Sequence, residues 1–249
     1  MKNIIDINAD VGERPEALAD GSEEQLISQI TSANIACGGH AGNEEMMGVV
    51  VRLCLKHRVS VGAHPGYPDR ENFGRAEMPI EHSALGASLV EQILALRSIA
   101  QNLGATITHI KPHGALYNVA VRDPATAEVI GKAVLDVDKS LILIGLADSG
   151  ALWVWDKMGL TTRGEAFADR LYEADGTLRS RKHPDALITD AAEAAAQALL
   201  IAQEGFVVAR GGKRVSVAAQ TICIHGDTPN SLEIAKAVKE RLQGAGLIL

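Results

Sequence analysis

A chain of 249 residues with 47% hydrophobic positions buries a core large enough for a single domain, 1–249, and is of ordinary length for an α/β barrel. A net charge of −7 and only 3% aromatic residues exclude a basic, stacking surface, so no nucleic-acid partner is expected. Asp6, Asp10 and Glu13 interrupt the amino terminus where a secretory signal needs apolar residues, no run approaches the ~20 residues of a membrane span, and Cys37, Cys54 and Cys223 form no C-x-x-C pair. A soluble protein of the reducing cytoplasm, with no membrane partner, is the expectation.

Short apolar runs alternate with stretches of helical period, the pattern of βα units around a parallel sheet. The first strand is predicted at Asn3–Asp10, and Ser22 with Gln25 reads as a capping box opening a helix. Strands follow at Ser32–Cys37 and Ser60–His64, then a turn-rich loop from Pro65 to Pro79 that is a candidate lid. Leu85, Leu89, Ile93, Leu96, Ile99 and Leu103 recur at helical spacing ahead of Gly104, predicting a core-facing helix over Ser83–Leu103. After a strand at Thr106–Lys111, Asp123-Pro124 supplies an N-cap and a first-turn proline. Strands at Leu141–Leu146 and Thr161–Phe167 precede an Ala-rich helix, Asp190–Gln203, expected to pack closely against the sheet. A hairpin, Phe206–Val217, turns at Gly211-Gly212 before a last strand at Thr221–His225. Seven parallel strands, where a complete TIM barrel has about eight, predict a distorted or slightly incomplete TIM-like (β/α) barrel.

Alternate residues of a strand share a face, so Asp6, Asn8 and Asp10 point one way. The same spacing groups His109 with Lys111 and His113, Ser60 with Gly62 and His64, and Cys223 with His225 and Asp227. Glu165 and Asn34 add polar groups near strand ends. One such residue would cap a helix or satisfy a loop, but uncompensated buried charges cost several kcal/mol each, and their recurrence at strand C-termini needs a shared cause. A site at the barrel mouth supplies it. Glycines at 38, 39, 42, 62, 66, 74, 114 and 226 crowd the same positions, where backbone can approach a ligand. Asp6 and Asp10 should repel each other, so one of them should resist ionisation and Asp10, nearer the mouth, should be the functional member.

His40, His64, His113, His225 and Asp10 are residue types that zinc accepts, but no H-E-x-x-H is present and a catalytic metal stays undecided; any site must be assembled from different strands. His109 and His113 would stand about 13 Å apart in a continuing strand, too far to share an ion. No G-x-x-x-x-G-K-[ST] or G-x-S-x-G occurs, so neither a phosphate loop nor a serine nucleophile is predicted.

The motifs DINADVGE (6–13), ANIACGGHAG (33–42), GAHPGYPD (62–69), KPHGALYN (111–118), GEAFADRLY (164–172) and IHGD (224–227) together resemble the LamB/YcsF family, in order and over essentially the whole chain. The resemblance implies a barrel similar to that of polysaccharide deacetylases. It also implies the role of the A subunit in an ATP-dependent 5-oxoprolinase, a hydrolase opening 5-oxoproline to L-glutamate together with subunits B and C. ATP is then the cofactor of the complex, with its binding to this chain left open. Under that reading Asp10 or Glu165 is the candidate base, His64, His113 and His225 are proton donors or relays, and Lys111 binds an anionic oxygen. Arg75, Arg179 and Arg181 are candidate carboxylate clamps. A metal-dependent deacetylase or amidohydrolase acting alone, and a non-catalytic binding subunit, are the alternatives.

Overall fold

The computed structural model describes residues 4–248. Seven parallel strands close into a barrel: β1 (Asp6–Val11), β2 (Ser32–Ala36), β3 (Ser60–His64), β4 (Ile107–Ile110), β5 (Ile142–Leu146), β6 (Thr161–Phe167) and a last strand, β9 (Thr221–His225). The predicted strands are all present, although Asn3 lies outside the described residues and Lys111 sits just beyond β4. The barrel is not incomplete. β9 pairs with both β6 and β1, closing the ring with seven strands. The predicted hairpin, β7 (Phe206–Val208) and β8 (Arg214–Ser216), forms a separate antiparallel pair outside it.

Helices wrap the ring: α1 (Pro15–Ala19), α2 (Ser22–Ile27), α3 (Glu44–His57), α4 (His82–Asn102), α5 (Gly114–Arg122), α6 (Pro124–Val137), α7 (Gly150–Lys157), α8 (Ala191–Glu204) and α9 (Ser231–Gly244). Helix α4 buries Leu85, Leu89, Ile93 and Leu96, each worth roughly 1.5–3 kcal/mol of transfer free energy. Asp123 caps α6 through the amides of Ala125 and Thr126, as its sequence predicts. The capping box at Ser22 does not form. Ser22 is the first helical residue after Gly21, and its hydroxyl donates to the Ala17 carbonyl instead of capping. The Ala-rich α8 lies chiefly on α9 rather than directly on the sheet, and its buried Gln197 donates to the carbonyls of Phe167, Ala168 and Arg170 at the end of β6.

On β1 the odd positions Ile7, Ala9 and Val11 join the apolar layer beneath the helices, while Asp6, Asn8 and Asp10 point into the barrel. The ring is therefore filled by polar side chains rather than by the aliphatic layers usual in such barrels. Gly62 makes room for this filling: a Cβ there would stand 2.1 Å from the His109 ring nitrogen Nε2.

Candidate active site at the barrel mouth

Strand register sets the polar network. Asp10 is level with Asn34 of β2 on one side and His225 of β9 on the other. At the lower end, Asp6 accepts hydrogen bonds from Thr31, Ser32 and Thr221. Hydroxyls thus surround Asp6, whereas an ammonium meets Asp10. Higher up, Asn8 donates to Glu165 (2.9 Å), and Asn34 donates to Asn8 (2.7 Å) and to Asp10 (2.8 Å). His109 bonds the Asn34 side-chain oxygen, and burial pulls its pKa down to about 4.

Lys111 Nζ is the hub. It lies 2.9 Å from Asp10 Oδ1, 2.9 Å from Glu165 Oε1 and 3.0 Å from Cys223 Sγ, with the side chain only 3% exposed. Burial alone would drive Lys111 towards neutrality, but the negative charges of Asp10 and Glu165 hold its pKa well above the ordinary value. Burial likewise opposes the Asp10 carboxylate, yet His64 and Lys111 hold it well below the usual range. Burial keeps the Cys223 thiol protonated, with its pKa well above the ordinary value despite the neighbouring ammonium.

A second cluster adjoins the first. His64 Nδ1 lies 2.7 Å from the Lys111 carbonyl, and His113 Nε2 lies 2.9 Å from the Phe73 carbonyl. Carbonyls only accept, so each ring uses that nitrogen as its donor. The remaining nitrogens, His64 Nε2 and His113 Nδ1, then face each other at 2.9 Å with lone pairs, and need a proton or a cation between them. Glu13 Oε1 stands 3.2 Å from His113 Nδ1 and Asp10 Oδ2 stands 3.3 Å from His64 Nε2. Burial lowers the pKa of His113, and that of the adjacent His40 to about 4. Two imidazoles with tautomers fixed by backbone and flanking carboxylates form a donor set suited to zinc or a similar divalent ion. His40 instead spends Nε2 on Glu13 at 2.9 Å and stacks on His113.

The turn-rich loop forms the outer wall of this cluster. Arg70 ties it to the carbonyls of Gly38 and Gly42, and Phe73 meets the His40 and His113 rings edge-on. Gly74, at φ +62°, has no room for a side chain, since a Cβ would stand 2.8 Å from that of His40.

Across the mouth, His225 Nδ1 lies 3.0 Å from Asp169 Oδ1, and Asp169 also accepts from the His225 amide and Thr228. Burial opposes the Asp169 charge, but His225 outweighs it and keeps the pKa below the ordinary value. The carboxylate thereby orients the ring, which stacks on Phe167, and leaves Nε2 without a protein hydrogen bond among the described residues.

Asp10, His64, Lys111, His113 and His225 all line one cavity of about 670 Å³ at the C-terminal ends of the strands. Glu165 does not reach it, being fully buried behind Lys111. Arg179 is also excluded as a clamp, because Glu173 and Asp185 occupy it, whereas Arg75 and Arg181 share Asp227. Glu13, Asp169 and Arg170 belong to the site but lie past the strand ends, where two-residue alternation no longer marks a face. Their only sequence signal is membership of the DINADVGE and GEAFADRLY motifs.

Fold and site define a closed, seven-stranded parallel (β/α) barrel with an ionisable cavity at its C-terminal mouth. The chain belongs to the LamB/YcsF family, whose model matches residues 5–249. It is 48% identical over 245 residues to the A subunit of 5-oxoprolinase from Shouchella clausii (strain KSM-K16), covering 98% of this chain and 97% of that one. The protein of the same name from Chloroflexus aggregans (strain MD-66 / DSM 9485) is 46% identical over 243 residues, covering 98% and 96%. The crystal structure of a lactam utilization protein from Thermus thermophilus superposes with a TM-score of 0.92 at 42% identity, over 99% of this chain and 98% of that one.

Proposed function

We propose that this chain is the A subunit of an ATP-dependent 5-oxoprolinase, acting with subunits B and C to turn 5-oxoproline into L-glutamate as ATP becomes ADP and phosphate. The reading is carried by nearly end-to-end similarity to proteins of that name. The cavity supplies suitable groups, and three buried free thiols suit a reducing cytoplasm.

A five-membered lactam is a stabilised amide, and transfer of the γ-phosphoryl group to its oxygen makes the ring carbon electrophilic. ATP is bound chiefly by the partners, since this chain has no Walker-type loop. Water then adds to the ring carbon and gives its proton to His225 Nε2. The C–N bond breaks as that proton passes to nitrogen, and a second water hydrolyses the acyl phosphate to glutamate and phosphate. Asp169 holds the imidazole for both transfers. Asp10 and Glu165, the bases expected from sequence, have other roles in this scheme. Glu165 is out of reach, and a carboxyl held as acidic as Asp10 orients water by accepting its hydrogen bond but takes a proton poorly.

The test measures glutamate and phosphate release by the chain alone and with subunits B, C and ATP. Turnover is expected only from the complete set, and Asp10→Asn is expected to reduce it ~10²-fold or more without unfolding the chain. ATP-independent turnover by the isolated chain overturns the proposal, and undiminished turnover by Asp10→Asn points to a ligand-binding role for the site. The opposed lone pairs of His64 and His113 favour a second reading, a metal-dependent amidohydrolase. Glu13, His64 and His113, with Asp10 beside His64, would hold the ion, which would supply a Lewis acid and an acidic bound water. Full ATP-dependent turnover in a preparation shown metal-free by elemental analysis removes that reading.

A further inference from the structure

Arg170 is a buried guanidinium without an acid. It follows β6, is 7% exposed and lines the cavity, yet no carboxylate oxygen lies within ion-pair distance of it among the described residues. Its one side-chain hydrogen bond among them runs from Nη2 to the Arg179 carbonyl, and its buried Nε has no acceptor. The neighbouring Asp169 is committed to His225 and Thr228. A buried charge left this way costs several kcal/mol unless a ligand supplies the missing anion.

The surrounding wall has the same sign. Arg75, Lys111, Arg122, Arg170, Arg181 and Lys182 line the cavity against the single lining carboxylate of Asp10, and Arg122 is paired with Glu77. Lys111 is paired with Asp10 and Glu165, and Arg75 and Arg181 converge on Asp227. Lys182 has no ion pair among the described residues but sits on the exposed rim, where water solvates it. Arg170 is therefore the buried cation of the cavity whose donors are not spent on protein acids.

We propose that Arg170 anchors the anionic group of the bound ligand, a carboxylate or phosphate oxyanion, and that in substrate binding it selects a lactam bearing an acid over the bare ring. The substrate half of this inference rests on the lactam reading above. A planar guanidinium suits a two-oxygen anion, because Nε and a terminal nitrogen donate side by side. With the acid held there, the ring lies in the cavity that His225 and Asp10 also line.

The experiment is calorimetric titration of the full chain with 5-oxoproline, with 2-pyrrolidinone, which is the same ring without the acid, and with inorganic phosphate. Wild type is expected to prefer 5-oxoproline by about 10- to 100-fold, the scale of a charge-assisted hydrogen bond. In Arg170→Met that preference falls to near unity while 2-pyrrolidinone binding is unchanged. If the Met variant does not fold, Arg170→Lys, which keeps the charge but loses the fork, is expected to lower the preference about tenfold. An undiminished preference in a folded variant overturns the anchor and leaves the lactam reading standing. If neither lactam binds wild type but phosphate does, and Arg170→Met abolishes phosphate binding, the oxyanion anchor stands and the lactam reading falls. No binding of any of the three by wild type overturns the anchor.

Discussion

Lys111→Met isolates the electrostatic hub of the barrel. In the native site one ammonium lies 2.9 Å from each of two carboxylates, Asp10 and Glu165. Methionine fills similar volume but leaves those carboxylates buried with no ammonium between them, and removing one partner of a buried ion pair costs about 3–5 kcal/mol. For a chain of this size each kcal/mol lowers Tm by roughly 2–4 °C, so a fall of about 6–20 °C is expected in calorimetry. Glu165→Gln still leaves Lys111 paired with Asp10, and the Lys111→Met/Glu165→Gln double variant should regain about 1 kcal/mol or more over the sum of the single losses. Acidity provides a second signature. The depressed pKa of Asp10 gives stability that is present above its ordinary value of 3.8 and lost as pH falls towards the folded value. The penalty of Lys111→Met should therefore shrink in acid as the stranded Asp10 carboxylate protonates. Denaturant melts showing Lys111→Met within about 1 kcal/mol of wild type at neutral pH, or a double variant no better than additive, refute the charge count.

Glu23 is buried and accepts a hydrogen bond from the Gly12 amide, and burial raises its pKa from 4.5 to about 7. Within that window the folded state keeps a proton that the unfolded chain releases, so stability falls as pH rises. Glu23→Gln is expected to gain roughly 3 kcal/mol on wild type between pH 4.5 and pH 8 in urea melts, and a pH-independent difference contradicts this. Gly62→Ala forces a methyl group into the His109 ring, should cost about 1–3 kcal/mol by calorimetry, and should weaken the Asn34 bridge to Asp10; unchanged stability would show that the interior yields freely.

Much of this architecture is legible in the sequence because parallel strands buried on both faces read as short apolar runs. Asp6, Asn8 and Asp10 are separated by one residue each, so their common inward face follows from the pleat alone, as it does for His109 and Lys111. Closure is less legible. Nothing in Thr221–His225 announces that it pairs with both β6 and β1, since pairing partners depend on ring geometry rather than on local pattern. The depth of Glu165 was hidden for a related reason: alternation tells which face a residue takes but not whether Lys111 from another strand stands in front of it. Arg170 was hidden because it follows β6, in a segment shaped by loop contacts such as its bond to the Arg179 carbonyl.

The same contacts revise what Lys111 does. An ammonium has three donors, and Lys111 donates to Asp10, Asn8 and Cys223 while also pairing with the Glu165 carboxylate. To grasp an anionic substrate oxygen, as expected from sequence, it would have to release one of them, and the two carboxylates are the strongest acceptors available. The lysine is better suited to keeping Asp10 ionised and fixed in place. Anion recognition then passes to a cation whose donors are open, and Arg170 meets that condition on the same cavity. The division follows from burial. A rigid, satisfied ion pair pre-organises the chemical end of the cavity, while the unpaired guanidinium leaves a charge deficit that an incoming acid can remove.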